Sequence, residues 1–71
     1  MNILIVGAGG REHTLAWKLK QSHLCENLYI APGNAGTAQF GHNLDIVVTD
    51  FEKLAEACLT HKVDMLLVGP E

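Results

Sequence analysis

The sequence predicts an α/β fold, a small doubly wound parallel sheet of four strands in the order 3-2-1-4 with one helix on each face. Two runs, residues 3–6 and 65–68, are continuously apolar, as expected of parallel strands buried on both faces. Amphipathic helical patterns and glycine-containing loops separate the predicted strands. Since crossovers between parallel strands are right-handed in about 98% of cases, the simplest arrangement places the first and fourth strands side by side in the middle of the fold.

The first strand leads into a glycine-rich turn and then into a helix predicted at residues 11–22. Gly7, Gly9 and Gly10 allow positive φ and close approach of a ligand, and the free N–H groups of the helix start favour an anion. Arg11 matches phosphate or carboxylate, and Glu12 accepts hydrogen bonds from hydroxyls or amines. The turn therefore suits a phosphosugar or an amino compound, although a purely structural turn whose Arg11 and Glu12 face water stays open.

The same turn departs from the dinucleotide-binding fingerprint. Glu12 occupies the position of the third glycine, and residues 31–33, Ala-Pro-Gly, stand where an acidic ribose ligand is expected about 20 positions on. A nicotinamide cofactor is therefore disfavoured.

A second unusual loop follows the second strand, which is predicted at residues 27–31. Residues 31–37, Ala-Pro-Gly-Asn-Ala-Gly-Thr, rule out further helix or strand and offer Asn34 and Thr37 to a ligand. Residues 38–44 have no clear period and are predicted to be irregular chain anchored by Phe40. The third strand is predicted at residues 45–48.

The second helix is predicted to start at a capping box formed by Thr49 and Glu52. Its apolar face is predicted from the helical spacing of five positions: Phe51, Leu54, Ala55, Cys58 and Leu59. The loops that follow strands one and four, residues 7–12 and 69–71, are expected to face each other across the crevice where open α/β sheets bind ligands.

Length and composition limit the classes of function. The 71 residues accommodate one small domain, residues 1–71, and end directly after a strand pattern, so we expect a fragment of a longer protein. The net charge of −3 comes from dispersed residues, which disfavours nucleic acid and membrane partners and leaves a cytoplasmic location as the expectation. The four histidines and two cysteines lack metal-ligand spacing, so no metal site is expected.

Three motifs in register resemble the amino-terminal domain of the phosphoribosylamine–glycine ligase family, also called glycinamide ribonucleotide synthetase. They are Gly-Gly-Arg-Glu-His at residues 9–13, the loop at residues 31–37, and Val-Gly-Pro-Glu at residues 68–71. The resemblance covers the whole chain and implies a Rossmann-like, pre-ATP-grasp domain. Family members continue into an ATP-grasp domain and further domains, which are absent from this chain.

The resemblance implies a ligase of de novo purine biosynthesis. ATP phosphorylates the glycine carboxylate, and the amine of 5-phosphoribosylamine attacks to give glycinamide ribonucleotide, ADP and phosphate. ATP and magnesium or manganese would bind outside this chain, which would be inactive alone. Glu12 and Glu71 match carboxylates that hold ribose hydroxyls in related domains. Further substrate-binding positions, with no catalytic residue or metal ligand among them, are Gly9, Gly10, Arg11, Asn34, Gly36 and Thr37.

Two alternatives stay open at this point. The chain could be the dinucleotide-binding domain of an oxidoreductase, or a non-catalytic α/β interaction module. We also expect self-association through apolar surface that the missing domains would cover.

Overall fold

The computed structural model describes residues 1–7 and 9–68 of the chain. The elements in chain order are β1 (Asn2–Gly7), α1 (Gly10–Lys20), β2 (Asn27–Pro32), a short 3₁₀ helix (Thr37–Gln39), β3 (His42–Asn43), α2 (Phe51–Thr60) and β4 (Met65–Val68). Helix α1 starts one position earlier and ends earlier than predicted. The four strands form one parallel sheet in the order β3-β2-β1-β4, which confirms the predicted topology.

Strand β1 is the centre of the core. Ile3 and Ile5 project to one face of the sheet, where they pack with Ala16 of α1, while Leu4 projects to the other face with Leu54 of α2. The period of two along a strand explains this division, because successive side chains point to opposite faces. The prediction of one helix on each face is confirmed.

Strand β4 is an edge strand, and the prediction that it is central and buried on both faces is wrong. Within the described residues it pairs with β1, and Leu66 and Val68 are 48% and 70% exposed. A continuous run of apolar residues predicts a buried strand, but it does not predict which part of the protein buries it. Self-association through this apolar surface stays a prediction.

The third strand is the main error in the predicted fold. Residues 45–48 were assigned to it, whereas β3 is His42–Asn43, inside the segment predicted to be irregular. Leu44, Ile46 and Val48 pack against the α2 side of the core without forming a strand. Their alternation therefore reflects packing onto the sheet and not pairing within it. Phe40 does pack against the core on the α1 side, as predicted.

Helix α2 contacts the sheet through a narrower stripe than the sequence predicts. Leu54 and Ala57 are buried, but Phe51 and Leu59 are 75% and 82% exposed. The predicted capping box of Thr49 and Glu52 is wrong, since the N-cap is Asp50, whose Oδ1 accepts the Lys53 N–H at 3.2 Å without a reciprocal bond. Both Thr49 and Asp50 are good N-cap types, so the sequence alone leaves the choice between them to backbone geometry.

The amino ends of the strands are tied to the end of α2. The Asn2 side chain donates to the His61 carbonyl at 3.0 Å, and its backbone N–H donates to the Asp64 carboxylate at 2.7 Å. The His61 ring stacks on Tyr29 of β2 with a centroid separation of 4.4 Å. These contacts stabilise the end of the sheet opposite the two glycine-containing loops.

Among residues 1–7 and 9–68, no helix is both long and apolar enough to cross a membrane.

The N-cap assignment can be tested by a pair of alanine substitutions. We expect Asp50→Ala to lower the free energy of unfolding by about 1 kcal/mol, because it leaves the Lys53 N–H without its cap. Thr49→Ala is the matched control and should cost clearly less. Urea unfolding of both variants measures the difference, and a larger loss for Thr49→Ala would contradict the Asp50 cap.

Candidate functional site

Strands β1 and β2 end side by side, so the loop after β1 (the first loop) and the loop after β2 (the second loop) leave the sheet next to each other. Gly7 is the register partner of Pro32, which follows a cis peptide bond. The Gly33 N–H donates to the Gly7 carbonyl at 3.1 Å. Gly7 and Gly33 have φ values of 147° and 74°, which other residues rarely adopt. The chain therefore turns sharply out of both strands at one point.

Glu12 lies beneath the first loop. Its side chain, in the first turn of α1, is only 5% exposed, and Oε2 accepts the Gly9 N–H at 2.9 Å. A Cβ on Gly7 would collide with the same carboxylate. A negative charge here is favoured by the open N–H groups and dipole of the helix start. Glu12 does not simply face water, as the structural alternative assumed, and its carboxylate stabilises the shape of the loop.

Asn34 and Thr37 close the second loop by bonding reciprocally. The Asn34 Oδ1 accepts the Thr37 N–H at 2.9 Å, while the Thr37 hydroxyl oxygen accepts the Asn34 N–H at 2.7 Å. Thr37 is fully buried. The structure thus gives its hydroxyl a place inside the loop, and a direct contact with a ligand stays a prediction.

The two loops are in contact. The Asn34 Nδ2 lies 3.5 Å from the Gly9 carbonyl oxygen, which is longer than the roughly 2.7–3.2 Å of an ordinary N–H···O hydrogen bond and makes this a weak contact. The His13 ring lies against Gly36, where an added Cβ would come within 2.8 Å of it. The same ring lies 5.4 Å from the Phe40 ring, centroid to centroid. Helix α1 and the second loop therefore pack closely through His13.

Arg11 is placed differently from the other predicted residues. It is exposed and lines an open cleft of about 430 Å³ along α1, together with Gly10, Thr14, Leu15 and Lys18. His13, which faces the second loop, is two positions away and hence about 200° around the helix. Among the described residues, no ion pair or hydrogen bond holds the Arg11 side chain. Its guanidinium is therefore available to an anion near the helix start, but it does not contact the second loop.

The predicted site residues divide into three groups. The structure brings most of them together at the carboxyl ends of β1 and β2, and it places Arg11 at the side of α1. Glu71 lies outside the described residues, so its predicted role has no structural counterpart here. The residues brought together are Gly9, Gly10, Glu12, Asn34, Gly36 and Thr37.

Sequence reasoning missed Asn43. Its Oδ1 accepts from the Thr37 hydroxyl at 2.8 Å, and its Nδ2 donates to the Asn34 carbonyl at 2.8 Å. The segment around Asn43 has no clear period, and nothing in its local sequence indicated a partner in the second loop. The one available signal was the polar Asn itself beside a glycine-rich loop.

The described residues do not form a metal centre. Among residues 1–7 and 9–68, no group of three or more His, Cys, Asp or Glu residues is placed to hold a metal ion. Cys25 and Cys58 are free thiols, each partly buried. The groups that the two loops could offer to a ligand are backbone N–H groups of the helix start, the buried Glu12 carboxylate and side-chain amides.

Comparison with known proteins identifies the family of the chain. The family described as phosphoribosylglycinamide synthetase, N domain, matches residues 1–71. A phosphoribosylamine–glycine ligase of Yersinia pestis is 51% identical over an alignment covering 100% of this chain and 17% of that protein. A ligase of the same name from Rhodopirellula baltica is 47% identical, with 99% of this chain and 16% of the relative covered.

A human relative has a broader name. The trifunctional purine biosynthetic protein adenosine-3 of Homo sapiens is 51% identical over 97% of this chain, which corresponds to 7% of the human protein. The chain thus spans about a sixth of the length of the bacterial relatives and less of the human one. Because the family match extends over every residue, the chain belongs to the phosphoribosylglycinamide synthetase N domain family.

Proposed function

We propose that this chain is the amino-terminal, substrate-binding domain of a cytoplasmic phosphoribosylamine–glycine ligase. That enzyme would join glycine to 5-phosphoribosylamine with hydrolysis of ATP, giving glycinamide ribonucleotide in purine biosynthesis. The observation that carries the proposal is the contact of Gly7 and Gly9 with Gly33 and Asn34 at the N-terminus of α1, in a domain of this family. The chain would supply a binding surface, while the reacting nucleotide and glycine would bind in the rest of the polypeptide.

The role of the first loop would be to hold the anionic and hydroxyl groups of 5-phosphoribosylamine. Backbone N–H groups at a helix start, here those of Gly10 and Arg11, form a favourable site for a phosphate. Glu12 is acceptor-only when ionised and offers about four lone-pair sites, of which Gly9 uses one. The others suit ribose hydroxyls. Arg11, exposed near the same helix start, would attract the phosphate.

The second loop would complete the surface on the other side. Asn34 and the backbone around Gly36 lie against α1, so a ligand in the crevice would contact both loops at once. No proton transfer is assigned to any side chain here. Holding the amine nucleophile in a reactive position is itself a large catalytic contribution.

ATP and its metal ions are assigned to the parts of the enzyme beyond this chain. No step of the reaction is therefore assigned to a metal-bound group in this domain.

The two alternative functions are less well supported. An oxidoreductase would need the dinucleotide fingerprint, and Glu12 instead fills the space beside Gly7 and Gly9. The relatives named above are ligases or a purine biosynthetic protein. A non-catalytic interaction module would leave the linked loops without a purpose.

The proposed function can be tested with a chimeric ligase, in which this chain replaces the aligned segment of the Yersinia pestis relative. We expect the chimera to release ADP in a reaction that depends on both glycine and 5-phosphoribosylamine. The 71-residue chain alone should release none, because the ATP and glycine sites lie outside it. A stable, folded chimera without this activity, or an active isolated chain, would contradict the proposal.

The role of Glu12 can be separated from its role in the loop by two substitutions in the chimera. In Glu12→Gln an amide oxygen can still accept the Gly9 N–H, but the charge that would favour ribose hydroxyls is lost. We expect kcat/KM for 5-phosphoribosylamine to fall by about tenfold, with the KM for ATP unchanged. Glu12→Ala should show the same loss and also a lowered melting temperature, because it removes the Gly9 partner.

Glu52→Gln is the matched control, since Glu52 is an exposed first-turn carboxylate of α2. It should change neither quantity by more than the small contribution of a helix-end charge, roughly 0.3–1 kcal/mol. If Glu12→Gln lowers the melting temperature and leaves kcat/KM unchanged, Glu12 is structural only.

A further inference from the structure

Asn43 is the one described side chain of β3 that reaches into the second loop with both of its polar groups. Oδ1 accepts from the Thr37 hydroxyl and Nδ2 donates to the Asn34 carbonyl, each at 2.8 Å. A Cβ on Gly33 would collide with the same Oδ1. The amide therefore occupies the space that a glycine at position 33 leaves open, and it bonds both ends of the turn between residues 34 and 37.

These bonds continue toward the first loop. Thr37 holds Asn34 by the reciprocal pair of hydrogen bonds, and the Asn34 Nδ2 contacts the Gly9 carbonyl at 3.5 Å. The Gly9 N–H in turn donates to Glu12. A continuous series of hydrogen bonds thus joins the edge strand β3 to the buried carboxylate under the first loop.

Of the contacts in this series, the one between the Asn34 Nδ2 and the Gly9 carbonyl is the longest, and a small displacement of either group would break it. A donor and acceptor 3.5 Å apart lose their hydrogen bond with a further displacement of a few tenths of an ångström. The Asn34 carbonyl accepts from the Asn43 Nδ2 at 2.8 Å, and it lies 2.9 Å from the Thr37 hydroxyl, whose single proton it shares with the Asn43 Oδ1. A change at Asn43 would therefore alter the placement of Asn34 relative to Gly9 before it altered the core.

We propose that Asn43 is a positioning residue for the 5-phosphoribosylamine site. It would act through Thr37 and Asn34 to set the distance between the two loops, without touching the substrate. The assignment of this substrate rests on the proposed function, whereas the mechanical coupling between residue 43 and the first loop does not. Asn43 is exposed, but its amide bonds to the fully buried Thr37, so a purely structural role predicts a loss of stability with no selective effect on 5-phosphoribosylamine.

The kinetic test uses the chimeric ligase with Asn43→Ala and Asn43→Asp. Asn43→Ala removes both bonds, and we expect the KM for 5-phosphoribosylamine to rise about tenfold while kcat and the KM values for ATP and glycine stay within twofold. Asn43→Asp keeps an acceptor for the Thr37 hydroxyl but places a carboxylate oxygen against the Asn34 carbonyl, which accepts from Nδ2 at 2.8 Å in the unsubstituted chain, so the KM should rise at least as much as in Asn43→Ala. Asn27→Ala is the matched control, because Asn27 is an exposed amide at the opposite end of the sheet that bonds to Asn2. It should leave every constant unchanged.

Hydrogen exchange of the 71-residue chain tests the coupling independently of activity. Asn43→Ala should speed amide exchange in residues 31–37 and also in residues 7–12, whereas Asn27→Ala should change neither segment. Faster exchange confined to residues 31–43, or a KM effect shared by ATP and glycine, would overturn the proposal. If the unsubstituted chimera makes no product, the proposed function fails while the exchange result still decides whether Asn43 positions the first loop.

Discussion

The site depends on the in-register pairing of β1 with β2. Because Gly7 lies opposite Pro32, both loops leave the sheet at the same level, and the Gly33 N–H reaches the Gly7 carbonyl at 3.1 Å. A shift of the pairing by one residue would exchange the side chains of β1 that face α1 with those that face α2, and it would disturb the packing of residues 3–6 on both faces of the sheet. The hydrophobic core thus determines where two polar loops meet, although none of its residues belongs to the site.

Much of the fold could be predicted because its signals are local and consistent. The continuous apolar run of β1 and the glycines after it predict a buried strand followed by a helix start, and chirality then limits the order of strands. The strand β3 could not be predicted in the same way. Two residues, His42 and Asn43, give no period, and they pair with β2 because Phe40 and Leu44 on either side pack onto opposite faces of the sheet. The neighbouring alternation at residues 44–48 was the stronger pattern, but it arises from contact with the core.

The candidate site was predicted in composition more fully than in arrangement. Glycine, asparagine and threonine types indicated loops that approach a ligand, and the structure does bring Gly9 and Asn34 together. What the sequence could not show is the direction of each side chain. Glu12 turns inward because the Gly9 N–H is an unpaired donor at the helix start, and Arg11, one position earlier, projects along the outside of α1. Asn43 was missed because its partners, Asn34 and Thr37, are set by the pairing of β3 and not by sequence spacing.

The polar side chains at this edge of the sheet mostly bond to the loops themselves. The Glu12 carboxylate accepts from Gly9. Asn43 accepts from Thr37 within the second loop, and Asn34 contacts the first loop. Such internal bonds reduce the conformational freedom of the loop backbone before a ligand binds. Less free energy is then spent on ordering the loops, and this spending would otherwise weaken binding. The helix-start N–H groups that follow Gly9 and the Glu12 carboxylate are thereby held in fixed positions. A small domain with few charged residues near these loops can thus have a well-defined shape there, because its own hydrogen bonds determine that shape.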